Sequence, residues 1–181
     1  SFGRFAISKL ITAKIGGRWR EVPLWATRLS FEVRPVPGFQ NEAWDLWKPT
    51  LLLLEKVLVE KKWKLNWVRI HSHLGAKRSP RHSMAWVDKD TDTMLLCHFD
   101  KETMLHELAH LPKDDAHSDA WVKRLWELQE KYLPKKELIA AQLELTRYLS
   151  GRRLYIKKYG VKPPKYVDQV SIWVTAKPAS K

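Results

Sequence analysis

The sequence is poor in cysteine, with Cys97 as its only one among 181 residues. A single cysteine excludes an intrachain disulfide and any zinc site built from several cysteines, and it is typical of a reducing compartment. A bound metal ion would therefore have to be held by histidine and carboxylate side chains. We predict an intracellular location, in the cytoplasm or a virion, with the mitochondrial matrix as an alternative suggested by the acid-poor N-terminal composition.

Long hydrophobic runs are also missing. No run exceeds four residues, as in Leu51 to Leu54, whereas a membrane-spanning helix needs about 20 apolar residues. The sequence therefore predicts no membrane span. A hydrophobic share of 44% over this length predicts a soluble globular domain with a substantial core.

Acidic residues are scarce at both ends of the chain. Residues 1–40 have a net charge of +5 and residues 151–181 one of +7, which leaves +1 for residues 41–150 out of a total of +13. A nearly neutral body with basic ends predicts contact with a polyanion, either nucleic acid or a ribonucleoprotein. The alternative is that the lysines only keep a tryptophan-rich chain soluble.

The pattern along the chain indicates an α+β fold with a small, mainly antiparallel sheet packed on helices. Within the first 40 residues, Arg4 to Arg20 has the spacing of a basic amphipathic helix, and Leu29 to Val33 alternates as in a strand. We predict three regions: a basic N-terminal arm (1–40), the core (41–133), and a C-terminal helix with a basic tail (134–181).

Apolar spacing places the elements of the core and of the C-terminal region. Trp47, Leu51, Leu54 and Leu58 lie on one face of a predicted helix. β-Branched and aromatic residues then predict strands, and the acidic interval between two of them predicts a solvated hairpin turn rather than a calcium loop. The strands are predicted at 65–70, 84–87, 93–98 and 170–174, the turn at 88–92, and later helices after Asp100, after Ser118 and over 135–149, the last ended by Gly151.

Inside the helix after Asp100 lies the sequence His106-Glu107-Leu108-Ala109-His110. Side chains four residues apart share one helix face, so His106 and His110 can bind the same ion, while Glu107 points away from that face and can act as a base. Two histidines do not hold zinc alone, so a third ligand is required.

The third ligand is expected after Pro112, which ends or bends the helix and reverses the chain. His117 is the first choice, at a spacing one residue longer than in metzincins and without their glycine. Asp114, Asp115 and Asp119 remain alternatives, because carboxylates also bind zinc. Cys97 is predicted to be an inert buried thiol, and most tryptophans to be core residues.

The segment 104–126, MLHELAHLPKDDAHSDAWVKRLW, resembles the SprT-like family of zinc metallopeptidases and the phage-type metallohydrolases related to it. The resemblance extends to the order of elements over residues 43–131. It implies a zincin-like fold, His106, His110 and His117 as zinc ligands, and Glu107 as general base. Ser118 stands where the family often has glycine, a mild departure because serine can also begin a helix.

These observations predict a zinc-dependent metallopeptidase that hydrolyses peptide bonds in a peptide or protein substrate. The alternative is a non-catalytic structural or adaptor subunit of a nucleic-acid-containing assembly, such as a virion or ribosome, that retains a peptidase-like zinc fold. Glu107 favours the enzyme, since a structural zinc site needs no base. The long basic ends favour the subunit.

Overall fold

The computed structural model describes residues 8–71, 85–113 and 115–165 of the chain. These residues form two compact units: the first contains the described residues up to Ala116, and the second begins at His117. In neither unit is any described helix long and apolar enough to cross a membrane. The predicted strand at 170–174 lies outside the described residues.

The first unit begins with an antiparallel hairpin of β1 (Leu10–Ile15) and β2 (Arg18–Pro23). The predicted amphipathic helix over this stretch is therefore wrong. Gly16 and Gly17 have φ angles of 57° and 78°, a left-handed conformation that glycine adopts readily and that makes the tight turn. Basic and apolar residues alternate in this segment in a way that fits the period of a helix as well as that of a strand. The two glycines favour the hairpin of strands, because they allow its tight turn.

A four-stranded sheet forms the centre of the first unit, with strand order β3-β4-β6-β5. β3 pairs with β4 and β4 with β6 in parallel, and only β5 and β6 are antiparallel. The sheet is therefore mixed, not mainly antiparallel as predicted, because the helix between β3 and β4 provides the crossover that parallel neighbours require. The elements are α1 (Leu24–Thr27), β3 (Glu32–Pro35), α2 (Ala43–Lys61), β4 (Trp67–Ile70), β5 (Ala85–Asp88), β6 (Thr93–Leu96) and α3 (Lys101–Leu108).

Helix α2 supplies much of the apolar core. Its predicted stripe is confirmed, since Trp47, Leu51 and Leu54 are fully buried and Leu58 nearly so. Trp47 Nε1 donates a hydrogen bond of 2.8 Å to the carbonyl oxygen of His71, just after β4. Each fully buried apolar side chain of this stripe contributes roughly 1.5–3 kcal/mol to the free energy of folding by leaving water. The hairpin turn predicted at residues 88–92 is also confirmed, because Asp88 Oδ1 accepts a hydrogen bond of 2.9 Å from the backbone amide of Asp90.

The described part of the second unit consists of three helices, α4 (Asp119–Tyr132), α5 (Lys135–Leu145) and α6 (Leu149–Tyr159). The single helix predicted over 135–149 ends early, and Gly151 lies inside α6 rather than ending a helix. A Cβ atom on Gly151 would lie 2.0 Å from the carbonyl oxygen of Leu145, so the turn between α5 and α6 closes tightly on the glycine. The buried Gln142 joins these helices by accepting a hydrogen bond of 2.5 Å from the Tyr159 hydroxyl.

Candidate metal centre

Helix α3 carries the histidine motif and is fixed at its start by a side-chain cap. Asp100 Oδ1 accepts a hydrogen bond of 2.7 Å from the Thr103 amide, as its position before the helix predicts. Met104, Leu105 and Leu108 are fully buried and anchor the helix in the first unit. The helix is therefore packed into the core, and His106 lies half-buried on its side.

The motif does not remain helical to its end. Regular helix stops at Leu108, and the His110 amide donates to the Glu107 carbonyl oxygen at 3.0 Å, which is the tighter hydrogen-bonding pattern of a 3₁₀ turn. The imidazole rings of His106 and His110 nevertheless stay together, with centroids 5.4 Å apart and both side chains half-buried. Pro112 follows in the loop, in agreement with the predicted end of the helix.

Glu107 is the only charged residue among those described that is buried, with 9% of its surface exposed. Burial raises the pKa of its carboxyl group to about 7, because removal from water penalises the charged form. Its Oε1 atom lies 3.9 Å from His106 Nε2. Glu107 therefore occupies a place beside a candidate metal ligand where it can exchange a proton near neutral pH.

His117 lies immediately before the cap of α4. Ser118 Oγ accepts a hydrogen bond of 3.2 Å from the Trp121 amide, which confirms the predicted helix start. The His117 ring lies 4.5 Å from the Trp121 ring and 5.5 Å from the Tyr148 ring, centroid to centroid. Partial burial, and then the charge of Arg147, lower the pKa of His117. The neutral imidazole, which is the form that binds metals, is favoured by this shift.

His106, His110 and His117 each offer one ring nitrogen, and these nitrogens lie within 4.8 Å of one another. Nitrogen ligands of a tetrahedral zinc ion, with bonds of about 2.0–2.1 Å, lie about 3.3 Å apart. The chemistry of the three donors, all imidazole nitrogens, suits Zn²⁺.

The structure describes two of the three aspartates that the sequence offers as alternative zinc ligands. Asp115 is half-buried in the loop, and Asp119 is exposed in the first turn of α4. Within the described ranges, neither belongs to the group of neighbouring ligand atoms that the three histidines form. Asp114 lies outside the described residues.

Sequence reasoning missed two neighbours of the site, Tyr148 and Arg147, which lie in the turn between α5 and α6. No local pattern links them to His117, because folding alone brings these distant parts of the second unit together. Of the other four histidines, His71 and His98 lie among the described residues. His71 follows β4, and its pKa is lowered by burial and then by the charge of Arg69, while His73 and His82 lie outside the described residues.

Cys97 is less buried than the predicted inert buried thiol. Its side chain is half-buried, and burial raises the pKa of the thiol. The thiolate, which is the reactive form, is thereby disfavoured.

Comparison of the chain with protein-family models, with curated proteins and with solved structures found no match.

Proposed function

We propose that the protein is a zinc-dependent peptidase in which His106, His110 and His117 hold the metal ion and Glu107 is the general base. The observation that carries this proposal is the convergence of three imidazole nitrogens within 4.8 Å of one another. A buried carboxylate that is not one of these ligands adjoins them, 3.9 Å from His106. This combination of a histidine cluster and a separate base is what metal-assisted hydrolysis requires.

Glu107 is the feature that favours catalysis over a structural role for the metal. A carboxyl group that is 9% exposed destabilises the fold when it is ionised. Nothing in a purely structural site would require it, because three histidines and a further ligand complete a zinc shell. The pKa of about 7 matches the working range of a general base and acid at neutral pH.

Zinc bound to the histidines would lower the pKa of a coordinated water towards ~7 and polarise the substrate carbonyl. Glu107 would take one proton from the attacking water as its oxygen bonds to the carbonyl carbon. The same carboxyl group would then give that proton to the amide nitrogen as the carbon–nitrogen bond breaks. Water and one peptide bond thus give a carboxylic acid and an amine, and Glu107 returns to its initial state. The acid then loses its remaining proton to solvent or to the amine.

The test compares zinc-loaded wild type with Glu107→Gln, using casein and the protein's own chain as substrates. Glutamine keeps the size of the side chain and cannot accept the proton, so we expect hydrolysis to fall at least 100-fold while zinc content stays equal. Glu127→Gln, an exposed residue of α4, is the matched control and should retain full activity. Equal hydrolysis by wild type and Glu107→Gln would refute the proposed base.

The second candidate is a structural or adaptor subunit of a nucleic-acid-containing assembly. It is supported by the charges of +5 and +7 at the two ends of the chain, which the proposed chemistry does not use. A zinc-loaded wild type that hydrolyses no protein, yet binds nucleic acid in a salt-dependent manner, would favour this candidate.

A further inference from the structure

The four-stranded sheet has two chemically different faces. On one face Val68, Ile70 and Met94 are fully buried. The opposite face, which we call the outer face, carries the alternate residues of each strand. Register places the following side chains in one row across it: Arg34 of β3, Arg69 of β4, Leu95 of β6 and Trp86 of β5.

Two arginines and a tryptophan cluster at the β3–β4 end of the outer face. The guanidinium carbon of Arg34 lies 4.8 Å from the centre of the Trp67 ring, and that of Arg69 lies 5.3 Å from it. Cations at these distances are attracted to the ring and hold it in place. Arg69 is exposed, and Trp86, further along the face, has 38% of its surface exposed.

The β1–β2 hairpin extends this surface. A Cβ atom on Gly16, at the hairpin turn, would lie 3.3 Å from Arg34 Nε, so the turn rests against the arginine of the outer face. Trp19 of β2 is 71% exposed, the highest value among the large described hydrophobic side chains. It pairs in register with Lys14 of β1, so the two side chains lie on the same face of the hairpin.

The positive charge of this surface is only partly neutralised. Glu32 forms an ion pair of 2.6 Å with Arg34. Over the described parts of the chain, no carboxylate lies within ion-pair distance of Lys14, Arg18 or Arg69. An apolar protein partner would bury these cations without compensation, at considerable cost. A polyanion with flat apolar groups satisfies both the cations and the exposed rings.

We propose that the outer face and the β1–β2 hairpin together bind single-stranded nucleic acid. Trp19 and Trp86 would stack on unpaired bases, while Lys14 and Arg69 would contact the phosphates. A duplex keeps its base faces inside the stack, so it could use only the charges. This site shares no residue with the histidine cluster and does not depend on peptidase activity.

The test measures binding of the full-length protein to a fluorescein-labelled 20-nucleotide oligothymidine by anisotropy over a range of salt concentrations. We expect Trp19→Ala to weaken binding roughly fivefold to 100-fold and Trp19→Phe, which keeps a stacking ring, to retain most of the affinity. Arg69→Ala should weaken binding and reduce the slope of log affinity against log salt by about 0.7. Lys61→Ala, an exposed residue in the last turn of α2, is the charge-matched control and should change affinity less than twofold.

Three results would overturn the proposal. One is the absence of binding to the oligonucleotide at low salt. Another is equal affinity of wild type, Trp19→Ala and Arg69→Ala, which would assign binding to other basic parts of the chain. The third is equally tight binding of a 20-base-pair duplex, or equal competition by polyglutamate, since either would show that charge alone is recognised. Glu107→Gln should bind as wild type does, so loss of peptidase activity and loss of this site are distinguishable.

Discussion

Replacing Glu107 with glutamine should stabilise the metal-free protein at neutral and alkaline pH. Burial raises the pKa of this carboxyl group from 4.5 to about 7 in the folded chain, so the folded state binds the proton more tightly than the unfolded state does. The stabilising contribution of the proton is complete below pH 4.5 and is lost as the pH rises through 7. A pKa difference of this size corresponds to roughly 3 kcal/mol of unfolding free energy.

The assay is urea unfolding of wild type and Glu107→Gln in the presence of a chelator at pH 5 and pH 8. We expect the two proteins to differ by less than about 1 kcal/mol at pH 5, and the variant to be more stable by roughly 3 kcal/mol at pH 8. Subtracting the two curves cancels the titration of groups that both proteins share. Glu127→Gln, which replaces an exposed carboxyl group of α4, is the matched control.

A difference between wild type and Glu107→Gln that is the same at both pH values would refute this reasoning. It would mean that the Glu107 carboxyl group is solvated or compensated by a cation in the metal-free fold. Bound zinc should reduce the difference at pH 8, because a nearby divalent cation stabilises the carboxylate. A residue that weakens the fold in this way is expected at a functional site, where activity and stability conflict.

Two further predictions concern the elements around the site. Asp100→Ala removes the cap of α3 and should lower the unfolding free energy by about 1 kcal/mol in urea titrations, whereas Asp100→Asn should lower it by much less; equal effects of the two would contradict the capping role. Gly151→Ala places a Cβ atom 2.0 Å from the Leu145 carbonyl oxygen and should destabilise the second unit by roughly 1–3 kcal/mol. Thermal unfolding followed by circular dichroism measures this, with Ser150→Ala as the neighbouring control, and an unchanged midpoint for Gly151→Ala would contradict the close packing.

Elements whose signal is local could be predicted from the sequence. The apolar stripe of α2 and the side-chain caps at Asp100 and Ser118 depend only on residues a few positions apart, and all three agree with the structure. The strands β4, β5 and β6 were likewise predicted from short runs of β-branched and aromatic residues. The candidate ligands His106, His110 and His117 were selected by spacing in the same way.

Features that depend on distant residues could not be predicted in this way. The parallel pairing of β3, β4 and β6 is determined by a helical crossover and by packing, which no strand encodes alone. The break between α5 and α6 contains neither proline nor glycine at Thr146 to Tyr148, so propensity favoured one continuous helix. The contact of Tyr148 with His117 depends on that break, so it could not be predicted from the sequence either.

The most direct measurement is the number of zinc ions bound per chain after dialysis, in wild type and in His106→Ala, His110→Ala and His117→Ala. We expect one zinc ion per wild-type chain and a loss of most of it in each variant, because removing one of three nitrogen ligands weakens a tetrahedral site severely. Asp115→Ala and Glu107→Gln, which leave the three histidines intact, should still bind one zinc ion. A wild-type chain without zinc, or a His117→Ala chain that retains a full equivalent, would contradict the proposed metal centre.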